Sequence, residues 1–468
     1  AGAAFGGARV IVTMKHVGLN VAADPLFTLA YTGVSGALVI VSADDPGMAS
    51  SQNEQDNRRY ALAAGIPMLE PADSQEAYDF TAKAIELSEK FATAVILRMT
   101  TRVCHSRTVV APHANPSKPK QPQFVRDRQK QVMIPAYARL AHKRLRQRLA
   151  DIQAWNETSD LNRIYGDDSE LGIIASGITA IHTREAASTA KILKIGMTYP
   201  LPIETVRKFA GSVNRCLVIE EGDPFIFENI MAAGIAVEKA PKMYRFGELS
   251  VHRIQRILAN DTSPEAAPPK GKAPELCPGC PHRKTFEMLR DMGCIVAGDI
   301  GCYTLGVLPP FEAIDTCVCM GASIGVGLGL RHVLNEEQAR KVVSVIGDST
   351  FMHSGITGIV EMAYNPPKTG HVVLILDNST TAMTGLQENP ATGRKLDHTP
   401  ANRVSIENLC RSLGVKNIFV FDPVTQGEEL RNCVMDAMAS NDLTVVIVRR
   451  SCILAAKKYA ELKKAAGE

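Results

Sequence analysis

Apolar positions along the chain come in short continuous runs, not in strict alternation with polar ones. Such runs occupy residues 8–13, 36–43, 66–71 and 93–100. A strand covered on both faces needs apolar side chains pointing both ways, so these runs predict strands of a parallel sheet. Between them, 53–64 and 74–91 carry apolar residues at a spacing near 3.6 and predict helices. The result is a βαβ series. The same rhythm returns at 171–176, 191–198 and 216–221, and again at 294–298, 316–320, 342–346, 372–376, 418–421 and 444–448.

Two segments interrupt it. Residues 113–123 are rich in Pro, Lys and Gln, and 139–148 then read as a basic helix. A solvated linker helix is the expectation, with an RNA- or lipid-binding patch as the alternative. A Pro-, Ala- and Lys-rich stretch at 262–274 reads as a second linker. The breaks divide the chain into an α/β domain at 1–115, a basic linker and helix at 116–165, a second α/β domain at 166–262 and a third at 275–468. The expected fold class is α/β, with three doubly wound parallel-sheet domains.

Composition narrows the function. A length of 468 residues leaves room for a few domains. A net charge of +3 is too small to imply a nucleic-acid or membrane partner. Aromatic residues make up 5%, with Trp155 the one tryptophan, which argues against stacking platforms for single strands. No apolar run reaches the ~18 residues that span a bilayer. The chain does not open on a basic stretch followed by an apolar run, so no secretory leader is expected. Eleven cysteines are too few for a disulfide scaffold in a chain of this length, and a reducing, cytoplasmic compartment is expected.

Chemistry concentrates in the last third. The strand pattern at 342–346 ends in Gly347-Asp348-Ser349, and that at 372–376 ends in Asp377-Asn378. In an open parallel sheet ligands sit beyond the carboxyl ends of the strands, which puts Asp348 and Asn378 on one rim. Glycine permits close backbone approach to a phosphate. A helix beginning near His353 would point its N–H groups at the same anion. A hard divalent ion such as Mg²⁺ takes oxygen ligands, here Asp348, Asn378 and the backbone carbonyl of Thr380. Taken alone, a Gly-Asp strand end with a later Asn is also common as a simple turn.

Four cysteines stand out as well. Cys277-Pro-Gly-Cys280 places two thiols on one turn, Cys302 follows Gly298-Asp-Ile-Gly, and Cys452 follows the last strand. Four thiolates on loops at strand ends suit either a [4Fe–4S] cluster or a structural zinc, and spacing does not separate the two.

The chain resembles the 2-oxoacid:ferredoxin oxidoreductases. Gly347-Asp348, followed about thirty residues later by Asn378, is similar to the thiamine diphosphate motif, although Ser349 stands where many relatives have a second glycine. The run Asp377-Asn-Ser-Thr-Thr-Ala-Met-Thr-Gly-Leu-Gln-Glu-Asn-Pro resembles the segment around that asparagine. Residues 10–24, 42–48, 50–56, 194–202 and 218–221 resemble the large subunit of the indolepyruvate type.

The resemblance implies a great deal. Thiamine diphosphate and Mg²⁺ would be held by Gly321, Ala322, Ser323, Gly347, Asp348, Ser349, Asn378, Thr380, Met383 and Thr384. A [4Fe–4S] cluster would sit on Cys277, Cys280, Cys302 and Cys452. The other seven cysteines (Cys104, Cys216, Cys294, Cys317, Cys319, Cys410 and Cys433) are expected to be buried and inert. The first domain would be of the pyrimidine-binding type, with Lys15, His16 and Asn20 facing the substrate. The second would resemble a transketolase C-terminal domain. In the family, a pyrimidine-contacting glutamate lies upstream of the segment matching 1–10, and many relatives continue past the segment matching 468 into a ferredoxin-like domain. The implied reaction is oxidative decarboxylation of an aryl pyruvate to its coenzyme A thioester, with ferredoxin as acceptor and a smaller β/γ-type subunit completing a hetero-oligomer. A non-redox thiamine decarboxylase or ligase, and a non-catalytic scaffold subunit, are the alternatives.

Overall fold

The structure is a computed structural model that describes residues 1–112, 121–266 and 274–466. Tertiary contacts divide it into two units, Ala1–Ala266 and Ala267–Glu468. Part of the 113–123 segment and most of the 262–274 stretch lie outside the described residues.

Unit 1 contains β1 (Arg9–Lys15), β2 (Ala37–Asp44), β3 (Met68–Leu69), β4 (Ala94–Thr100), β5 (Arg163–Tyr165), β6 (Leu171–Ser176), β7 (Lys191–Ile195), β8 (Met197–Tyr199), β9 (Arg215–Ile219) and β10 (Glu238–Lys239). They form two five-stranded sheets, ordered β1-β2-β4-β3-β8 and β10-β9-β6-β7-β5. All pairings are parallel except β3 with β8 and β5 with β7. Unit 2 holds β11 (Ile295–Gly298), β12 (Thr316–Cys317), β13 (Val342–Gly347), β14 (His371–Asp377), β15 (Asn417–Phe421) and β16 (Leu443–Arg449), in one parallel sheet ordered β12-β11-β13-β14-β16-β15. Three mostly parallel sheets with intervening helices make the fold α/β, as the apolar runs predict.

Why those runs are continuous is visible on β14. Val372, Leu374 and Leu376 pack into one core of unit 2, while Val373 and Ile375 pack into the other. Both faces of the sheet are covered, so no position on the strand is polar by default.

The expected elements shift where local chemistry intervenes. The 66–71 strand shrinks to Met68–Leu69, because Pro67 and Pro71 on either side have no N–H for the ladder. The 191–198 strand breaks at Gly196. Its first part stays in the second sheet, while Met197–Tyr199 crosses to the first sheet and pairs with β3. A Cβ at Gly196 would lie 2.3 Å from the Leu161 carbonyl oxygen, so that crossing needs glycine. The 53–64 helix begins only at Arg58, since the Arg58 N–H is drawn to Asp56 and that of Asn57 to Asp44. The basic helix runs Pro135–Asn156 and is no free linker: Ala141, Leu145, Leu149 and Ile152 form a buried stripe along one face.

At the carboxyl ends of the unit 1 strands lies a buried charge network. Arg98 reaches Asp44 at 2.7 Å and Glu70 at 2.6 Å. Arg58 reaches Asp56 and Glu220 at 2.6 Å each. The network joins residues of the first sheet to the end of β9 in the second.

Candidate functional site

In unit 2 the strand ends build the site. β13 and β14 are paired in parallel, with Gly347 opposite Leu376, so Asp348 and Asn378 emerge side by side. Asn378 precedes Ser379, a non-glycine residue at φ 60°, and this tight turn brings Thr380 back toward the same space. A cavity of about 200 Å³ opens here, lined by Gly347, Asp348, Ser349, Thr350, Asn378 and residues 380–384, with Ile300–Tyr303, Met320 and Leu376 opposite. Thus Gly347, Asp348, Ser349, Asn378, Thr380, Met383 and Thr384 of the expected set share one cavity.

Asp348 is buried, and the Asn389 amide donates to its Oδ2 at 3.2 Å. Burial, reinforced by the nearby Asp377 carboxylate, pushes its carboxyl up to about 7. The Asn378 Oδ1 accepts from the Thr380 N–H at 3.2 Å. The Ser349 and Thr381 hydroxyls share a hydrogen bond of 2.6 Å, and the Thr384 hydroxyl donates to Gln387 at 2.8 Å. Met383 is half exposed at the mouth.

Two expectations about the phosphate cradle need correction. The helix does not start near His353. Gly347 is extended, and helical structure begins at once with Asp348–Thr350, passes through a π-helical turn at Phe351–Gly355 and continues as Ile356–Tyr364. Asp348 itself therefore occupies the helix N-terminus. Gly347 is required by a neighbour, since a Cβ there would lie 2.5 Å from the Tyr303 ring.

The expectation that Gly321, Ala322 and Ser323 offer N–H groups to a diphosphate also meets an obstacle. The Asp299 carboxylate already accepts from Gly321 at 2.9 Å and Ser323 at 3.0 Å, and the Ala322 N–H bonds the Cys319 carbonyl at 3.1 Å. Capping by Asp299 also explains why the 316–320 strand stops at Cys317: the chain turns through Gly321, φ 87°, into the helix Ala322–Val333.

The four cysteines line one cavity, although among the described residues no three ligating side chains already stand at metal-holding distance. Cys277, Cys280, Cys302 and Cys452 line a second cavity, of about 70 Å³, with Leu276, Pro281, His282, Leu305, Ile453 and Leu454. The Cys280 thiol is pushed up to about 11, chiefly by burial and further by proximity to the other three thiols. The two cavities share Cys302, Asn378 and Ala382. Of the other cysteines, Cys216 and Cys410 are buried as expected, but Cys104, Cys317 and Cys319 are exposed. These three lie at element ends, where sequence pattern alone overestimates burial.

In unit 1 the candidates sit where β1 passes into the helix His16–Val21. Lys15 Nζ donates to the Ser50 carbonyl. His16 is fully buried, with Nε2 at 3.2 Å from the Asn53 carbonyl and Nδ1 without a partner. Asn20 is exposed and accepts from the Tyr60 hydroxyl at 2.6 Å. The loop that Lys15 and His16 touch is organised by Asp45, whose carboxylate accepts from the N–H groups of Ala49 and Ser50 and the hydroxyls of Ser51 and Thr101.

Sequence reasoning missed Asp299, His282, Tyr303 and Asn389 as site residues. His282 and Tyr303 follow segments that carry three of the four singled-out cysteines, and Asn389 lies near the end of the run that follows Asn378. Spacing carried no signal that their side chains turn inward.

Comparison with known proteins fits this geometry. A family model described as pyruvate flavodoxin/ferredoxin oxidoreductase, thiamine diphosphate-binding, matches residues 1–151. A second, the thiamine pyrophosphate enzyme C-terminal TPP-binding domain, matches residues 299–448, which include the diphosphate-type rim. The fold and the strand-end cavity thus define a chain of the thiamine diphosphate-binding 2-oxoacid oxidoreductase class. The chain is 38% identical to the indolepyruvate oxidoreductase subunit IorA of Archaeoglobus fulgidus, over 97% of this chain and 76% of that protein. It is 38% identical to the IorA of Pyrococcus horikoshii, with the same coverage. With the IorA of Methanothermobacter thermautotrophicus, identity is 37% over 97% of this chain and 77% of the relative. The chain belongs to the family of indolepyruvate oxidoreductase IorA subunits. No helix among the described residues is long and apolar enough to cross a membrane.

Proposed function

We propose that the chain is the thiamine diphosphate-binding subunit of an enzyme that oxidatively decarboxylates an aryl 2-oxoacid of the indolepyruvate kind to its coenzyme A thioester, passing electrons through a [4Fe–4S] cluster to ferredoxin. The observation that carries this reading is the common wall of the two cavities, made by Cys302, Asn378 and Ala382.

The residue types in both cavities support this assignment. A buried carboxylate without a cation is unfavourable, and the raised Asp348 carboxyl is that of a group in want of one. Asp348, the Asn378 amide oxygen and the Thr380 carbonyl would hold Mg²⁺, which prefers oxygen donors of this kind. Ser349, Thr350 and the helix start at Asp348 surround the place for the diphosphate. The four cysteines that line the second cavity would supply the ligands of an iron–sulfur cluster once their thiols close on it. Bound there, thiamine diphosphate supplies the nucleophilic carbon and electron sink for decarboxylation, and the cluster accepts electrons one at a time.

The chain's own residues do the rest. Ile300, Tyr303, Met320, Leu376 and Met383 give the cavity an apolar lining that would limit the water around a bound cofactor. In unit 1, Lys15 and His16 are the candidates for orienting the substrate, with Asn20 on the exposed face of the same helix. Their support is position at a strand carboxyl end beside an ordered polar loop. A smaller partner subunit is expected, as for the family. Eleven free cysteines support a reducing cytoplasm.

Anaerobic purification with iron and sulfide analysis tests the reading. Absorbance at about 400 nm is expected from thiolate-bound iron and should vanish in Cys280→Ala. A colourless zinc protein, or free aldehyde formed without a reduced acceptor, would move the assignment to a non-redox thiamine enzyme. Failure to take up thiamine diphosphate with Mg²⁺ would favour a scaffold subunit.

A further inference from the structure

We propose that His282 is the residue that orients Asn378 as a magnesium ligand, an inference that rests on the cofactor reading above. His282 is the first residue of the helix His282–Asp291 and is 4% exposed. Its imidazole lines the four-thiol cavity, and its Nε2 lies 3.3 Å from the Asn378 Nδ2. A carboxamide nitrogen can only donate, so Nε2 accepts, and the contact exists only with that nitrogen unprotonated.

The bond has a directional consequence. An asparagine amide can turn end for end at little cost, and one of its ends is useless to a cation. With Nδ2 committed to His282 and the Thr380 N–H bonding Oδ1 at 3.2 Å, the amide is fixed in one orientation, and Oδ1 keeps a second acceptor site for a cation. Partners that fix the orientation of a ligand tune metal affinity by such means. The imidazole is itself held in place. Its ring meets the Tyr303 ring edge-on, with centroids 6.1 Å apart and planes at 84°. The Arg283 N–H bonds the Cys280 carbonyl at 3.2 Å, which ties the helix start to the turn carrying two of the four thiols.

These two links are separable. The tie to the Cys280 turn runs through the backbone of the helix start and survives a side-chain substitution at 282. The bond to Asn378 belongs to the side chain alone. His282→Met removes the acceptor while roughly filling the space, and His282→Gln keeps an acceptor at similar reach.

The test is Mg²⁺ affinity in the presence of thiamine diphosphate, measured by titration calorimetry on the anaerobically purified protein, with iron content read in parallel. His282→Met should bind Mg²⁺ about 10–100-fold more weakly, the range typical for loss of a ligand-orienting partner, with iron content unchanged. His282→Gln should stay within roughly 3-fold of the parent by the same reasoning. Should His282→Met fail to fold, His282→Ala carries the same expectation. Unaltered Mg²⁺ affinity in the apolar variant, or an equal loss in His282→Gln, overturns the inference. Loss of iron together with Mg²⁺ also overturns it, because the residue would then be structural. If the parent protein itself takes up no Mg²⁺ with thiamine diphosphate, the cofactor reading fails and this inference falls with it.

Discussion

Glu221 follows the second sheet's β9, and its buried carboxyl accepts the Leu249 N–H at 2.8 Å. Burial pushes this carboxyl up to about 7, from 4.5 when free. Between those values the folded chain holds a proton that the unfolded chain releases. Stability from this group is therefore greatest at low pH and declines as pH rises from about 4.5 to 7. Glu221→Gln keeps an acceptor for Leu249 and removes the buried charge. Above pH 7 the variant should be more stable than the parent by up to about 3 kcal/mol, with the advantage gone near pH 5. Urea titrations across pH 5–8 measure the difference, and a gap that does not change with pH would contradict the account. At this scale the sequence was partly readable. Asp348 and Asn378 announce themselves because each ends an apolar run. Gly347 was readable as a necessary glycine but not for its reason, since the Tyr303 ring that crowds it comes from a loop more than forty positions away.

Elements were legible where burial alone decides them and obscure where one tertiary contact does. The strands of the last sheet follow the apolar runs closely because both faces of that sheet are buried. The break at Gly196 was not legible: β7 and β8 read as one strand until the chain must pass the Leu161 carbonyl and change sheets. Convergence of the three loops that carry the four cysteines is likewise a product of sheet order, which places β11, β13, β14 and β16 side by side. The Arg98 network is a further case, since apolar pattern does not reveal a charge cluster at buried strand ends. Arg98→Met would leave Asp44 and Glu70 buried without their cation. Breaking such a pair costs about 3–5 kcal/mol. A thermal or urea midpoint lowered to that extent at pH 7 is expected, with the deficit shrinking in acid as the buried Asp44, whose carboxyl burial already raises, takes up a proton. An unchanged midpoint would mean that the network contributes nothing.

At the scale of the whole molecule, the account depends on two neighbouring cavities in the carboxyl-terminal unit, one lined by oxygen donors and the other by thiols. Their common wall of Cys302, Asn378 and Ala382 brings two separate motifs together, as the proposed redox function requires. Mn²⁺ prefers the same oxygen ligands as Mg²⁺ and is paramagnetic. The most direct measurement is therefore the electron paramagnetic resonance of the reduced, anaerobically purified protein loaded with thiamine diphosphate and Mn²⁺. About four irons per chain are predicted, with a cluster signal whose relaxation is strongly enhanced when Mn²⁺ replaces Mg²⁺. A protein that carries zinc instead of iron, or a cluster signal indifferent to bound Mn²⁺, would contradict it.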